Sequence, residues 1–320
     1  MMLERPTPAQ LRRLLTRTDH LIDAAGEDIL LSLQKAVRRY ATMAQATIEN
    51  AIQLRALGLQ SKDIPKIADI VSIGDQLGRA LLDAGLDDVA TEFRTQMDRV
   101  RDEALKEFSA YGLPRSLAGI DVASLDAFAA YKEASFLDLA DRRLVTPLAD
   151  AVIQSVVGQK SIGEIRDEIW GLMQSEGITT AAGEPFTDYQ METLVDDSMR
   201  RHARLTKQER AASLDMNIVW FTGPDDSKTS AQCEFMLTHA EHGAPGMWLV
   251  DEFTKDNINN LMSENGVEAE LAENPIVAGG HWNCRHTIQY VTKGFAAEQG
   301  FESDDAADDE EVEAAAEELQ

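Results

Sequence analysis

The sequence predicts an α+β fold that is mainly α: a long-helix N-terminal region, a small mixed α/β C-terminal domain, and an acidic disordered tail. Three observations lead there. Apolar residues recur at three- and four-residue steps through most of the first 213 positions, the period of one helix face. The pattern breaks at "NIVWFTGPDDS", where the β-prone run Ile218, Val219, Trp220 and Phe221 stops at Gly223-Pro224. Residues 301 to 320 then carry ten acids and no base, with almost no apolar surface to offset the entropy of ordering.

The first helix is expected over residues 8 to 57 with one early interruption, because Ile29, Leu33, Val37, Tyr40, Ala44, Ile48 and Ile52 share a face. Gly58 suits its C-terminal cap, and Pro65 disfavours helical geometry in Ile64. After a shorter helix, Leu86, Val89, Phe93, Met97, Val100, Ala104 and Phe108 mark a second long one that "YGLPRSLAG" ends. A third segment, about 124 to 157, contains Pro147, which lacks an amide hydrogen and should kink or divide it. Ser161 with Glu164, and Thr187 with Gln190, have the spacing of capping boxes, so each pair opens a helix.

Beyond residue 214 the reading alternates. Ser227 to Leu237 is a short helix capped by Asp226, "MWLV" a strand, and "TKDNINNLM" a helix capped by Thr254. "RHTIQYV" alternates as a closing strand, with His286, Ile288 and Tyr290 on one face.

Composition excludes several function classes. No run of eighteen apolar residues predicts a membrane span, and "MMLERPTPAQLRRLL" lacks the apolar stretch of a secretory signal, which places synthesis in a cytoplasm. Two distant cysteines, Cys233 and Cys284, form no disulfide framework. The formal net charge is −26, and −16 remains when the ten tail acids are set aside. Such acidity opposes a general DNA-coating role, since affinity for DNA comes largely from Lys and Arg on phosphates.

The chemistry concentrates in "GGHWNCRHTIQYV". Cys233, His281, Cys284 and His286 supply two thiols and two imidazoles, the ligand set of a structural zinc, and Cys284 and His286 share a strand face. The same residues also suit a fold without metal, as hydrogen-bonded core histidines and small buried cysteines. A Cys284 thiolate paired with His281 or His286 is a further option. His239 and His242 fall on a loop and read as solvated. "MRRHARLTKQER" places Arg200, Arg201, Arg204, Lys207 and Arg210 on one helix, either as a solvated face pairing with local acids or as a contact for DNA or an acidic partner. Gly177 and Gly183 match no phosphate-cradling pattern.

The ordered series "WFTGPDDSKTSAQCEFM", "GMWLVDEFTKDNINNLM" and "NPIVAGGHWNCRHTIQYV" resembles the C-terminal domain of Mu F-type head morphogenesis proteins, the minor head proteins of tailed bacteriophages. The likeness covers roughly residues 185 to 292 and rests on a Trp, a D-S-x-T turn, a Cys and a closing H-x-N-C-R-[CH] strand. It marks Trp220, Asp226, Thr229, Cys233, His281, Trp282, Cys284, Arg285 and His286 as signature positions with a structural role. His286 stands where many relatives have Cys, and Ser230 where some carry a further one.

The resemblance divides the chain into a helical region, 1–184, docking on portal or capsid; a Mu F-like domain with its leading helix, 185–294; and a tail, 295–320. It implies a virion component made in the host cytoplasm, with the portal protein or the major capsid protein as partners and no enzyme activity. It implies a role in head assembly, and in DNA packaging or delivery. The alternatives are a zinc-dependent hydrolase or nuclease built on His281, Cys284 and His286, and an assembly scaffold absent from the mature particle.

Overall fold

The computed structural model describes residues 3, 6–60, 72–157, 162–175, 189–223, 226–227, 229–271, 273–279, 284 and 286–319. Its helices are α1 (Pro8–Gln60), α2 (Ile73–Asp83), α3 (Leu86–Leu105), α4 (Val122–Ala140), α5 (Thr146–Val157), α6 (Ile162–Ser175) and α7 (Tyr189–Ala212). Next come β1 (Ile218–Thr222), α8 (Ala231–Thr238), β2 (Met247–Leu249), α9 (Lys255–Glu264), α10 (Pro275–Ala278), β3 (Thr287–Val291), α11 (Lys293–Glu298) and α12 (Asp309–Glu318). The chain is thus mainly α with a small antiparallel sheet, the expected class. No helix among the described residues is long and apolar enough to cross a membrane.

Two compact units form, and they do not follow the contiguous boundaries at 184 and 294. The first gathers Met1–Ala24, Gln96–Ala129 and Asp196–Gln320; the second gathers Ala25–Thr95 and Ala130–Val195.

The second unit is helical. Its core takes Ile29, Leu33, Val37, Tyr40 and Ala44 from α1, all buried, as their spacing predicts. Helix α1 shows no early interruption, and it continues past Gly58 to Gln60. Pro65 and Ile64 lie outside the described residues, as do Ser161, Thr187, Gly177 and Gly183. Pro147 divides the third segment as expected. A π-helical turn, Asp141–Val145, separates α4 from α5 immediately before it, which suits the missing amide hydrogen of the proline. The Tyr40 hydroxyl donates to the Leu144 carbonyl of that turn at 3.0 Å, and Phe93 packs on Phe136 with centroids 5.5 Å apart.

In the first unit the sheet order is β2-β1-β3, with Val219 opposite both Trp248 and Tyr290. Helix and loop residues cover both faces, so four of the five β3 residues are buried, on both sides of its alternation. Trp248 is fully buried, and its indole N–H donates to the Met236 carbonyl at 3.2 Å. Thr254 caps α9 as predicted by accepting from the Asn257 amide. Helix α8 starts later than expected, because Ser230 and not Asp226 supplies its cap, accepting from the Cys233 amide. Asp226 instead forms a turn in which its amide donates to Thr229 Oγ1 at 3.0 Å.

The acidic tail is corrected from disordered to folded. Phe301, Ala306, Val312 and Ala316 are buried in the core that holds Trp248 and Phe253. Val312 and Ala316 lie one turn apart on α12, so a few well-placed apolar groups achieve what average composition does not suggest. Polar ties hold the ends: the Asn217 side chain donates to the Asp305 carbonyl and accepts from the Ala307 amide, both at 2.8 Å. Glu311 accepts from the Asp308 amide at 2.9 Å, fixing the start of α12. Phe301→Ala is expected to cost about 3–5 kcal/mol in denaturant unfolding, the range for a buried Phe; a cost below about 0.5 kcal/mol, typical of a surface change, would mean an undocked tail.

Candidate metal centre

Three of the four residues proposed from sequence as ligands converge in the first unit. Cys233 lies in the first turn of α8, its position fixed by the Ser230 cap. Cys284 and His286 precede β3 and lie two residues apart, as an extended approach to a strand requires for a shared side. The two sulfurs are 3.6 Å apart, Cys284 Sγ is 3.4 Å from His286 Nδ1, and all three ligand atoms lie within 4.8 Å of one another. His281, Trp282 and Arg285 fall outside the described residues.

These separations discriminate between chemistries. A disulfide needs about 2.05 Å between sulfurs, and both thiols are free. Tetrahedral zinc, with bonds of about 2.3 Å to sulfur and about 2.05 Å to nitrogen, sets edges of about 3.8 Å and about 3.6 Å. The Cys233–Cys284 and Cys284–His286 separations are within about 0.2 Å of these edges, and the Cys233–His286 one is at most 4.8 Å, so the donors could hold one soft or borderline divalent ion. A nucleophile must reach its substrate, yet Cys233, Cys284 and His286 are 0%, 1% and 2% exposed. Buried cysteines of this kind are inert as nucleophiles and good as ligands.

The Cys284 thiol is held well below its usual range. The hydrogen bond with Cys233 contributes most, burial opposes it, and His286 and the Arg204 guanidinium add to it. A depressed thiol is the form a metal binds.

The surrounding backbone is shaped to this cluster. Gly279 has φ +70° and ψ −152°, a region open essentially to glycine alone. A Cβ there would stand 2.7 Å from Cys284 Sγ. At Gly223 a Cβ would stand 2.6 Å from His286 Cδ2, while Phe221 stacks on the His286 ring with centroids 5.2 Å apart.

Arg204 on α7 holds the loop that carries two of the ligands. Its guanidinium donates to the carbonyls of Val277 at 3.2 Å, Cys284 at 2.8 Å and His286 at 2.5 Å. Burial lowers the pKa of Arg204, but an arginine has so high a starting value that it stays charged.

The rest of the basic helix also turns inward: the pairing with local acids holds at Asp196 and Asp197, while the solvated face is corrected to a buried one. Arg200 pairs with Asp196 at 3.1 Å, Asp19 at 3.2 Å and Asp23 at 2.9 Å. Arg201 pairs with Asp197 at 2.7 Å and with Glu273. Lys207 pairs with Glu107 at 2.8 Å and donates to the Ile288 carbonyl of β3 at 3.3 Å. Arg210 donates to the carbonyls of Pro114 at 2.7 Å and Ala118 at 3.0 Å. Several of their partners lie 72 to 181 residues away and are brought to them by the folded chain.

Other positions resolve into packing. Trp220 tilts against Phe295 at 5.9 Å, and the Arg12 guanidinium lies over its ring at 5.9 Å. His239, read as solvated, stacks on Trp248 at 5.0 Å, and His242 pairs with Glu252 at 2.6 Å. His202, which sequence reasoning did not single out, is fully buried against Phe128, and burial pushes its pKa down to about 4. It is neutral in the folded protein.

No protein-family model, curated protein or solved structure matches this chain. The functional reading therefore rests on its own residues.

Arg204→Met would leave three buried carbonyls without their donor, an expected loss of roughly 3 kcal/mol or more in urea unfolding. Arg204→Lys, which keeps the charge but not the fork, should fall between the variant and the wild type. A loss within about 0.5 kcal/mol for the Met variant would show that Arg204 does not hold the loop.

Proposed function

We propose that this chain is a structural minor head protein of a tailed bacteriophage, seated at the portal vertex or head interior and acting in head assembly. The observation that carries the reading is the meeting of Cys233, Cys284 and His286, signature positions up to 53 residues apart in a motif series that resembles Mu F-type proteins.

On this reading Cys233, Cys284 and His286 hold a structural zinc, and His281, the fourth ligand that the sequence offers, lies outside the described residues. When bound, the ion supplies cross-linking between α8 and the β3 approach, which a small sheet domain otherwise lacks. A catalytic zinc keeps an exchangeable position, and the near-complete burial of the three ligands favours the structural role over a hydrolase or nuclease.

The partner is the portal protein or the major capsid protein. Support comes from where apolar surface lies: of six large exposed hydrophobics among the described residues, Leu31, Leu82, Tyr131, Trp170 and Tyr189 belong to the helical second unit. DNA contact loses its sequence support, since the basic helix spends its cations internally.

Two experiments test this. Chain purified without chelators should carry about one zinc, as a four-ligand site requires, and Cys284→Ser should lower the ratio toward zero. A fully folded wild type with essentially no zinc would remove the metal. Quantitative mass spectrometry of mature particles should find a few to a few tens of copies per head. Absence from the particle would contradict the minor-head role and leave a scaffold.

A further inference from the structure

An open groove of about 660 Å³ lies in the second unit between α2 and the stretch where the π-helical turn passes into α5. Its apolar lining is Gly74, Gly78 and Leu82 from α2, with Val145 and Ala149 opposite. The three α2 residues are four apart, so they share one face of that helix. Its charged lining is Asp75, Arg79, Asp141 and Asp150, all exposed.

Packing within the unit does not account for the glycines. A Cβ added at Gly78 would meet nothing within 4 Å, and one at Gly74 would meet only the Ala149 Cβ at 3.8 Å, an ordinary contact. Neither glycine has a positive φ that other residues would avoid. Glycine is nonetheless the poorest helix former after proline. What the two positions do share is the groove, which side chains there would make shallow. At its end Leu82 is 44% exposed, an apolar group left for something else to cover.

We propose that this groove docks a basic amphipathic helix of a partner protein. The apolar lining takes the aliphatic face of that helix, and the absence of side chains at Gly74 and Gly78 lets it approach closely. The rim selects its charge. Three carboxylates stand against one guanidinium, so Lys and Arg flanking the aliphatic face are favoured. The same rim disfavours nucleic acid, an anionic lipid surface and a second copy of this chain, whose net charge is −26. The inference adds chemistry to the partner surface proposed above. Its test uses neither phage nor zinc, so its failure leaves the minor-head reading standing.

The full chain is titrated in a calorimeter with a synthetic amphipathic helix of leucine and lysine, and with a leucine and glutamine helix of the same pattern as the neutral control. The lysine helix should bind, and the glutamine helix about tenfold more weakly. Asp75→Asn combined with Asp150→Asn should weaken the lysine helix by about tenfold, as two exposed charge pairs can. Glu264→Gln combined with Glu268→Gln, exposed acids of the first unit, should leave binding unchanged. Gly78→Leu should weaken binding by about tenfold or more through a clash in the groove. It should also raise the urea midpoint, since leucine is the better helix former. Hydrogen exchange should place the peptide's protection on α2 and α5. No binding, equal binding of the two peptides, equal losses in the two acid variants, binding untouched by Gly78→Leu, or protection confined to the first unit would overturn the proposal. Self-association that Gly78→Leu abolishes would give the groove to a second copy and overturn it too. Should Gly78→Leu fail to fold, the acid variants and the exchange map decide.

Discussion

A buried cation must be paired, and α7 carries four of them on one stretch of helix. Arg201, Arg204, Lys207 and Arg210 are each at least nine-tenths buried, with Arg200 close behind. Breaking a buried pair by removing one partner typically costs about 3–5 kcal/mol, because the other is left in a poor solvent. The folded first unit must therefore bring Asp19, Asp23, Glu107, Glu273 and the carbonyls of residues 114, 118, 277, 284, 286 and 288 to this helix. The segment through Pro114 and Ala118 and the residues flanking β3 are tied to α7 by those bonds.

The metal centre depends on it too. Cys284 and His286 lie outside the β3 ladder, and Arg204 grips the carbonyls of both. The Gly279 conformation lets the chain turn close to the Cys284 sulfur, and the Ser230 cap sets Cys233 opposite. The protein's own contacts thus hold the three donors together, which would reduce the ordering that binding an ion must impose. A guanidinium beside a thiolate also offsets charge that two cysteines would otherwise concentrate in the core.

What the sequence revealed was local or periodic. The α1 face through Ile29, Leu33 and Val37, the strand at Ile218, the Thr254 cap and the break before Pro147 each follow from near neighbours. Cys284 and His286 could be paired by strand period, and Cys233 was joined to them by ligand chemistry alone. What stayed hidden was long-range. A row of Arg and Lys looks the same whether solvent or a distant carboxylate faces it, and backbone carbonyl partners leave no mark in sequence. Asp196 and Asp197, one turn before Arg200 and Arg201, were the one local hint of internal pairing. The tail misled for a related reason: ten acids dominate its composition, while Phe301 and Val312 decide its position.

The claim that α7 is an internal spine is tested most directly by arginine modification with phenylglyoxal on the native chain, mapped residue by residue by mass spectrometry. Arg204 and Arg210, buried and bonded to carbonyls, should remain unmodified while the exposed Arg13 reacts fully. Reaction of Arg204 and Arg210 at the rate of Arg13 would place the helix at the surface and contradict the account.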